Sequence, residues 1–268
     1  MDSSSHDNMS FLEHLEELRW HIIRSLIAII SAGFICFLMK DFIFDTIIFG
    51  PKKMDFPTYK FLCQAATFIG VETTFCRDEF PFIVQNRTMA GQFSAHVMTS
   101  IISGFIISFP YILYEFWKFI SPGLLKKEKA KSRGFIFISS MLFFIGVLFG
   151  YYIISPLSIN FLGTYQVSSQ IINEIDLGSF ISLVRSSALA SGIIFELPII
   201  IYFLTKAGVV TPESLVKYRK YALVLVLVLA AIITPPDVAS QIIVAIPIVI
   251  LYQVSIFISR IVVKNQNK

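Results

Sequence analysis

The chain has 268 residues, 55% of them hydrophobic and 15% charged, with 27 Phe, a formal net charge of +4 and a mean hydropathy of +0.73. A water-soluble domain covers its surface with polar side chains, and this composition does not supply enough of them. It excludes a soluble domain and predicts an all-α integral membrane protein, read as a single membrane domain over residues 1–268.

Met1 to Ser10 is polar and lacks the basic start of a cleaved signal peptide, so the first apolar run is expected to be retained. "SFLEHLEELRWHIIR", Ser10 to Arg24, opens with a capping box in which Ser10 and Glu13 satisfy each other's backbone amides. Phe11, Leu12, Leu15, Leu18 and Ile22 form an apolar stripe, and His14, Glu17 and His21 form a polar one at helical spacing. The spacing predicts an N-terminal helix over 1–21 that lies on the membrane surface before a first span, Ile22 to Met39. Periodicity alone reads Glu13, Glu16 and Glu17 as the solvated face of that helix.

A long loop follows over 40–92, and it holds two of the three cysteines, Cys63 and Cys76. An oxidising outer compartment favours a disulfide between them, but spacing does not fix the geometry, so the pairing stays open. Cys36 falls inside the first span and reads as a packing residue. Asn86-Arg87-Thr88 matches a glycosylation sequon only weakly.

Phe93 to Trp117 is the second span, Gly134 to Ser155 the third, and Phe180 to Leu204 the fourth. Between the second and third, "YEFWKFISPGLLKKEKAKSR", Tyr114 to Arg133, passes from interfacial aromatics through a Pro-Gly break into a lysine cluster. The fourth span carries Glu196 amid apolar residues, which is costly in hydrocarbon unless the carboxyl meets a partner, water or protein. Tyr221 to Ser259 is broken by "TPPD" at Thr234 to Asp237 and predicts two short helices, the last interrupted by Gln241, Pro247 and Gln253. The total is six spans, with the final pair in thinned bilayer.

Lys118, Lys126, Lys127, Lys129, Lys131 and Arg133 mark one loop as cytoplasmic. Lys206, Lys217, Arg219 and Lys220 mark another, and Arg260, Lys264 and Lys268 place the tail over 259–268 on that side too. Both termini are therefore expected inside. No phosphate-binding loop, HExxH or GxSxG motif occurs, and His6, His14, His21 and His96 are not at metal-ligand spacing, so the chain reads as a non-enzyme without metal or cofactor.

Four motifs together, "FLEHLEELR", "FWKFISPGLLKKEK", "FELP" and "TPPDVASQ", resemble the TatC family, the multi-span C subunit of the twin-arginine protein translocase. The resemblance runs from Phe11 to Arg260; the loop near 58–82, with its two cysteines, departs from the family pattern. It implies a receptor in the bacterial inner membrane, or in an organelle membrane of bacterial descent, for signal peptides carrying paired arginines. Small single-span partners of the TatA or TatB type, further copies of the chain and lipid are implied partners, nucleic acid is not, and the proton-motive force is the implied energy source. The family motifs assign signal-peptide binding to Glu17, Arg19, Phe119 and Glu128, an outer cap to Pro51 and Asp237, and partner docking to Thr234 and Gln241. They also imply that Glu196 faces a water-reachable hollow. The alternative from another class is an ion-coupled small-solute transporter in which Glu196 carries the ion.

Overall fold

The computed structural model of the chain describes residues 11–70, 75–120, 132–168, 170–234 and 238–266. Five of its helical segments are long and apolar enough to cross a membrane: His14–Leu38, Gly91–Ile120, Gly134–Thr164, Leu177–Lys206 and Ser240–Asn265. The chain falls into two compact units. One comprises the chain up to Lys40 together with His96–Met141; the other comprises Asp41–Ala95 together with Leu142–Lys268.

The first unit is built on helix α1, Phe11–Leu38, and most of helix α3, Gly91–Ile120. Helix α1 runs 28 residues without a break, so the expected surface helix and first span are one element. No proline interrupts it and its first glycine is Gly33, which leaves nothing to separate the two. The helices run antiparallel: His96 meets the Phe37 carbonyl at 3.0 Å, the Ser108 hydroxyl donates to the Ala28 carbonyl at 3.0 Å, and His14 stacks on Phe119. Their closest approach is at glycines. A Cβ placed on Gly104 would lie 2.5 Å from the Gly33 nitrogen and 2.6 Å from the Ile29 carbonyl oxygen. Small residues bring membrane helices into backbone contact, where dispersion and weak polar contacts replace the missing hydrophobic drive.

The second unit opens with a π-helical turn, Phe42–Ile48, a short 3-10 turn, Gly50–Lys52, and helix α2, Pro57–Ile69. Pro57 occupies the first helical position and Gly70 closes the helix at φ 75°, a conformation that favours glycine. The Tyr59 side chain is fully buried, and its hydroxyl donates to the carbonyls of Pro51 at 2.8 Å and Pro156 at 3.1 Å. Burial pushes this phenol well above its ordinary range, so it stays protonated and able to donate. Cys63 and Cys76 are joined by a disulfide, with their Cα atoms 5.1 Å apart. Strands β1, Phe82–Gln85, and β2, Asn173–Asp176, pair in parallel, Phe82 opposite Asn173 and Gln85 opposite Asp176.

Helix α4, Ser132–Phe149, continues through a π-helical turn, Gly150–Ile154, into α5, Ser155–Thr164. Helix α6, Leu177–Phe195, begins at Asp176, whose carboxylate accepts from the amides of Gly178 and Ser179. It packs on Gly146 and Gly150, where an added Cβ would come within 2.7 Å of the Ser191 carbonyl oxygen and 2.3 Å of the Ser187 carbonyl oxygen, respectively. Helix α7, Leu197–Lys206, follows a break at Glu196. Helix α8 is Pro212–Lys217, α9 is Arg219–Ile233 and α10 is Val238–Gln266. Ile154, Val226, Ala230, Val244, Ala245 and Ile248 form one buried apolar cluster of this unit.

The last pair differs from expectation. Helix α9 is short, 15 residues or about 22 Å at the α-helical rise, but α10 runs 29 residues straight through Pro247 instead of being interrupted there. Proline and glutamine remain inside membrane helices when neighbouring groups take up the freed backbone acceptors.

Candidate functional site

In the first unit the polar stripe of α1 meets the last turns of α3. His14 stacks on Phe119, with ring centroids 4.4 Å apart and planes inclined by 21°. About two turns along α1, His21 lies edge-on to Phe119 at 6.1 Å. Glu17 sits between the two histidines on the same helical face. It is half-buried, and among the described residues no donor reaches its buried Oε2. A buried carboxylate oxygen without a donor forfeits its hydration, and an incoming cationic donor removes that penalty.

The residue that organises this end was not singled out by the sequence. Glu115 is 3% exposed and His21 5% exposed, and His21 Nδ1 lies 2.5 Å from Glu115 Oε2. The Arg24 guanidinium is 3.6 Å from the same oxygen, and the Tyr111 side chain hydrogen-bonds the same carboxylate. An acid inside a 30-residue apolar helix was the available signal, masked by the aromatics of "YEFWKF" around it.

The other expected binding residues are placed differently. Arg19 is exposed and its guanidinium lies 6.0 Å from the ring centre of Trp20, two positions along from Glu17 and so on nearly the opposite face of α1. The structure therefore brings Phe119 to the Glu17 stripe but not Arg19. Glu128 and Asp237 lie outside the described residues.

In the second unit Glu196 caps the end of α6, and its carbonyl accepts from the amides of Ile199 at 2.9 Å and Ile200 at 3.0 Å as α7 begins. The break expected from Pro198 is present, and Glu196 is 8% exposed. Pro51 is buried beneath Tyr59. The Thr234 hydroxyl is buried and donates to the Ala230 carbonyl of its own helix at 2.8 Å, while the Gln241 amide donates to the Leu227 carbonyl at 3.1 Å, tying α10 to α9. Among the described residues this is the one hydrogen bond of the Gln241 amide, and on the same helix Ile242 and Ile246 are exposed. Among the described residues no group of three His, Cys, Asp or Glu side chains is placed to hold a metal ion.

A family model described as "Sec-independent protein translocase protein (TatC)" matches residues 13–247. A protein of that description from Blattabacterium sp. subsp. Periplaneta americana is 47% identical over 261 residues, covering 97% of this chain and 98% of its own. Another from Aquifex aeolicus is 35% identical over 263 residues, with 97% and 98% covered. A crystal structure described as the twin arginine translocase receptor TatC superposes with a TM-score of 0.67 at 33% identity, covering 94% of this chain and 100% of that one. A second, in the detergent DDM, gives a TM-score of 0.70 at 36% identity, with 91% and 98% covered.

Proposed function

The chain belongs to the TatC family of Sec-independent protein translocase components, and from that membership we propose that it is the receptor subunit of a twin-arginine translocase in a bacterial inner membrane. In this reading it binds signal peptides with paired arginines, and with single-span partners of the TatA or TatB type it exports folded proteins on the proton-motive force. Helix α9 serves as a sixth, short span in thinned bilayer, and both termini face the cytoplasm.

The observation that carries the reading is the Glu17 oxygen that no donor among the described residues reaches, set on the same face of α1 as the His14 ring that stacks on Phe119. A guanidinium satisfies both features at once. Its planar fork donates two parallel hydrogen bonds to a carboxylate and its flat face stacks on an aromatic ring, whereas the lysine ammonium is a compact, strongly hydrated point charge. Glu128 supplies the second carboxylate for the second arginine.

A photocrosslinker beside the arginine pair of a synthetic signal peptide tests this in native membranes. Glu17→Ala is expected to reduce crosslinking at least about tenfold, the scale on which truncating one side of a desolvated charge pair acts, with the protein still inserted. Crosslinking that is equal for wild type and Glu17→Ala, or equal for twin-arginine and twin-lysine peptides, overturns the reading.

Partner docking is proposed at Gln241, through its second amide proton, with the exposed Ile242 and Ile246 of the same helix as apolar surface. Polar contacts between membrane helices are individually weak, so Gln241→Leu should reduce crosslinking to a single-span partner by roughly threefold and leave peptide crosslinking unchanged. Partner crosslinking that does not change removes Gln241 from the interface.

A further inference from the structure

We propose that Glu115, through His21, is the positioning residue of the receptor stripe: the pair sets the register of α1 against α3 so that Glu17 and Phe119 face one ligand. The inference rests on the receptor reading above. His21 lies one turn after Glu17 on α1, and Glu115 lies one turn before Phe119 on α3. Because the helices are antiparallel, stepping one turn from the pair along each helix leads towards the same end of the unit. The His21–Glu115 contact is therefore the polar tie next to the stripe. The other ties, Ser108 to Ala28 and His96 to Phe37, lie progressively further along the same helix pair.

The middle of the pair cannot set this register alone. Gly33 and Gly104 bring the backbones together but present no side chain that would stop one helix from rotating or sliding on the other. A charged hydrogen bond at 2.5 Å between two residues that are 5% and 3% exposed is directional and has no water to replace it. The groups that face Glu115 among the described residues are His21 and Arg24 from α1 and Tyr111 from its own helix. Two of the three come from α1, so the carboxylate gathers the stripe-bearing helix onto the helix that carries Phe119. Glu115 acts on peptide binding through this geometry; its own carboxylate is already taken up.

The test uses the full chain in lipid nanodiscs, with spin labels at the exposed positions Ile22 and Phe116 to report the α1–α3 separation, and anisotropy of a labelled twin-arginine peptide to report affinity. Glu115→Ala and His21→Ala should each broaden the distance distribution and weaken peptide binding by about tenfold, the scale of coupling within one ion-pair network. The exchange His21→Glu with Glu115→His rebuilds the pair with its direction reversed and should return affinity to within about threefold of wild type. Single variants that bind as wild type overturn the proposal. An exchange that restores the distance but not the affinity also overturns it, because Glu115 would then act on the peptide directly. If the exchange does not fold, Glu115→Gln decides: its amide oxygen can still accept from His21, so it should bind within about threefold of wild type, and a loss as large as that of Glu115→Ala overturns the clamp. Glu17→Ala in the same assay separates the two readings. Binding that depends on Glu17 but not on Glu115 removes the clamp alone, and binding that ignores Glu17 removes the receptor.

Discussion

Gly104→Leu is expected to drive α1 and α3 apart and to abolish twin-arginine peptide binding. The three atoms nearest to an added Cβ at this position, the Gly33 nitrogen at 2.5 Å, the Ile29 carbonyl oxygen at 2.6 Å and the Gly33 Cα at 2.7 Å, are all backbone, so no rotamer change can make room. The helices must separate by about 1 Å for the Cβ alone, and by more for the rest of the leucine. Overpacking of this kind costs about 1–3 kcal/mol, and more where a backbone contact is the obstacle. Separation also stretches the His21–Glu115 contact, so Glu17 and Phe119 lose their common orientation. Thermal unfolding in detergent and peptide anisotropy read the two effects. Gly134→Leu is the control, since among the described residues nothing lies within 4 Å of a Cβ there. Wild-type binding by a well-folded Gly104→Leu protein would show that α1 and α3 need not touch.

Tyr59→Ala should have an effect of similar size in the second unit. Its ring is surrounded by Phe56, Phe75 and Phe80 at centroid distances of 6.1, 6.3 and 5.4 Å, and the side chain has no exposed surface. Removing it leaves a cavity and strips the donor from two carbonyls. Large aromatic-to-alanine changes in cores cost about 3–5 kcal/mol. Tyr59→Phe keeps the ring and loses only the hydroxyl, which bonds Pro51 and Pro156, for about 1–3 kcal/mol. The expected order of melting temperatures is wild type, then Tyr59→Phe, then Tyr59→Ala, with limited proteolysis of α2 following the same order. Equal melting of all three proteins would mean that the segment around α2 does not contribute to the unit's stability.

These two residues also mark what could be read in the sequence. Span positions follow from hydropathy because a long apolar run has few other uses, and five of the expected spans coincide with long helices. Helix breaks were harder. Pro198 does break the chain at Glu196, yet Pro247 sits inside a continuous helix, because the outcome depends on which neighbours receive the freed carbonyls. The role of Tyr59 has no local signature, since one of its partners, Pro156, is 97 residues away. The Cys63–Cys76 pairing likewise awaited a Cα separation that spacing does not give. For the site, the stripe of His14, Glu17 and His21 was legible from helical periodicity, and Phe119 only from the family motif. Glu115 was legible in principle: an acid in an apolar span demands a partner, and the polar stripe of α1 offers His21 one turn from Glu17.

Strands β1 and β2 are four residues each, yet they come from loops so far apart that Gln85 bonds a glutamate 89 residues later. Two of the apolar segments, Gly91–Ile120 and Gly134–Thr164, are synthesised in the interval. The backbone donors of Phe82 to Gln85 consequently have no strand partner at the time they are made. They must stay hydrated until both later segments are in the bilayer and the second loop has been delivered to the same side. The parallel pairing therefore requires that the second and third apolar segments bring both loops to one side, and a chain with one of those two inverted would carry an open strand edge.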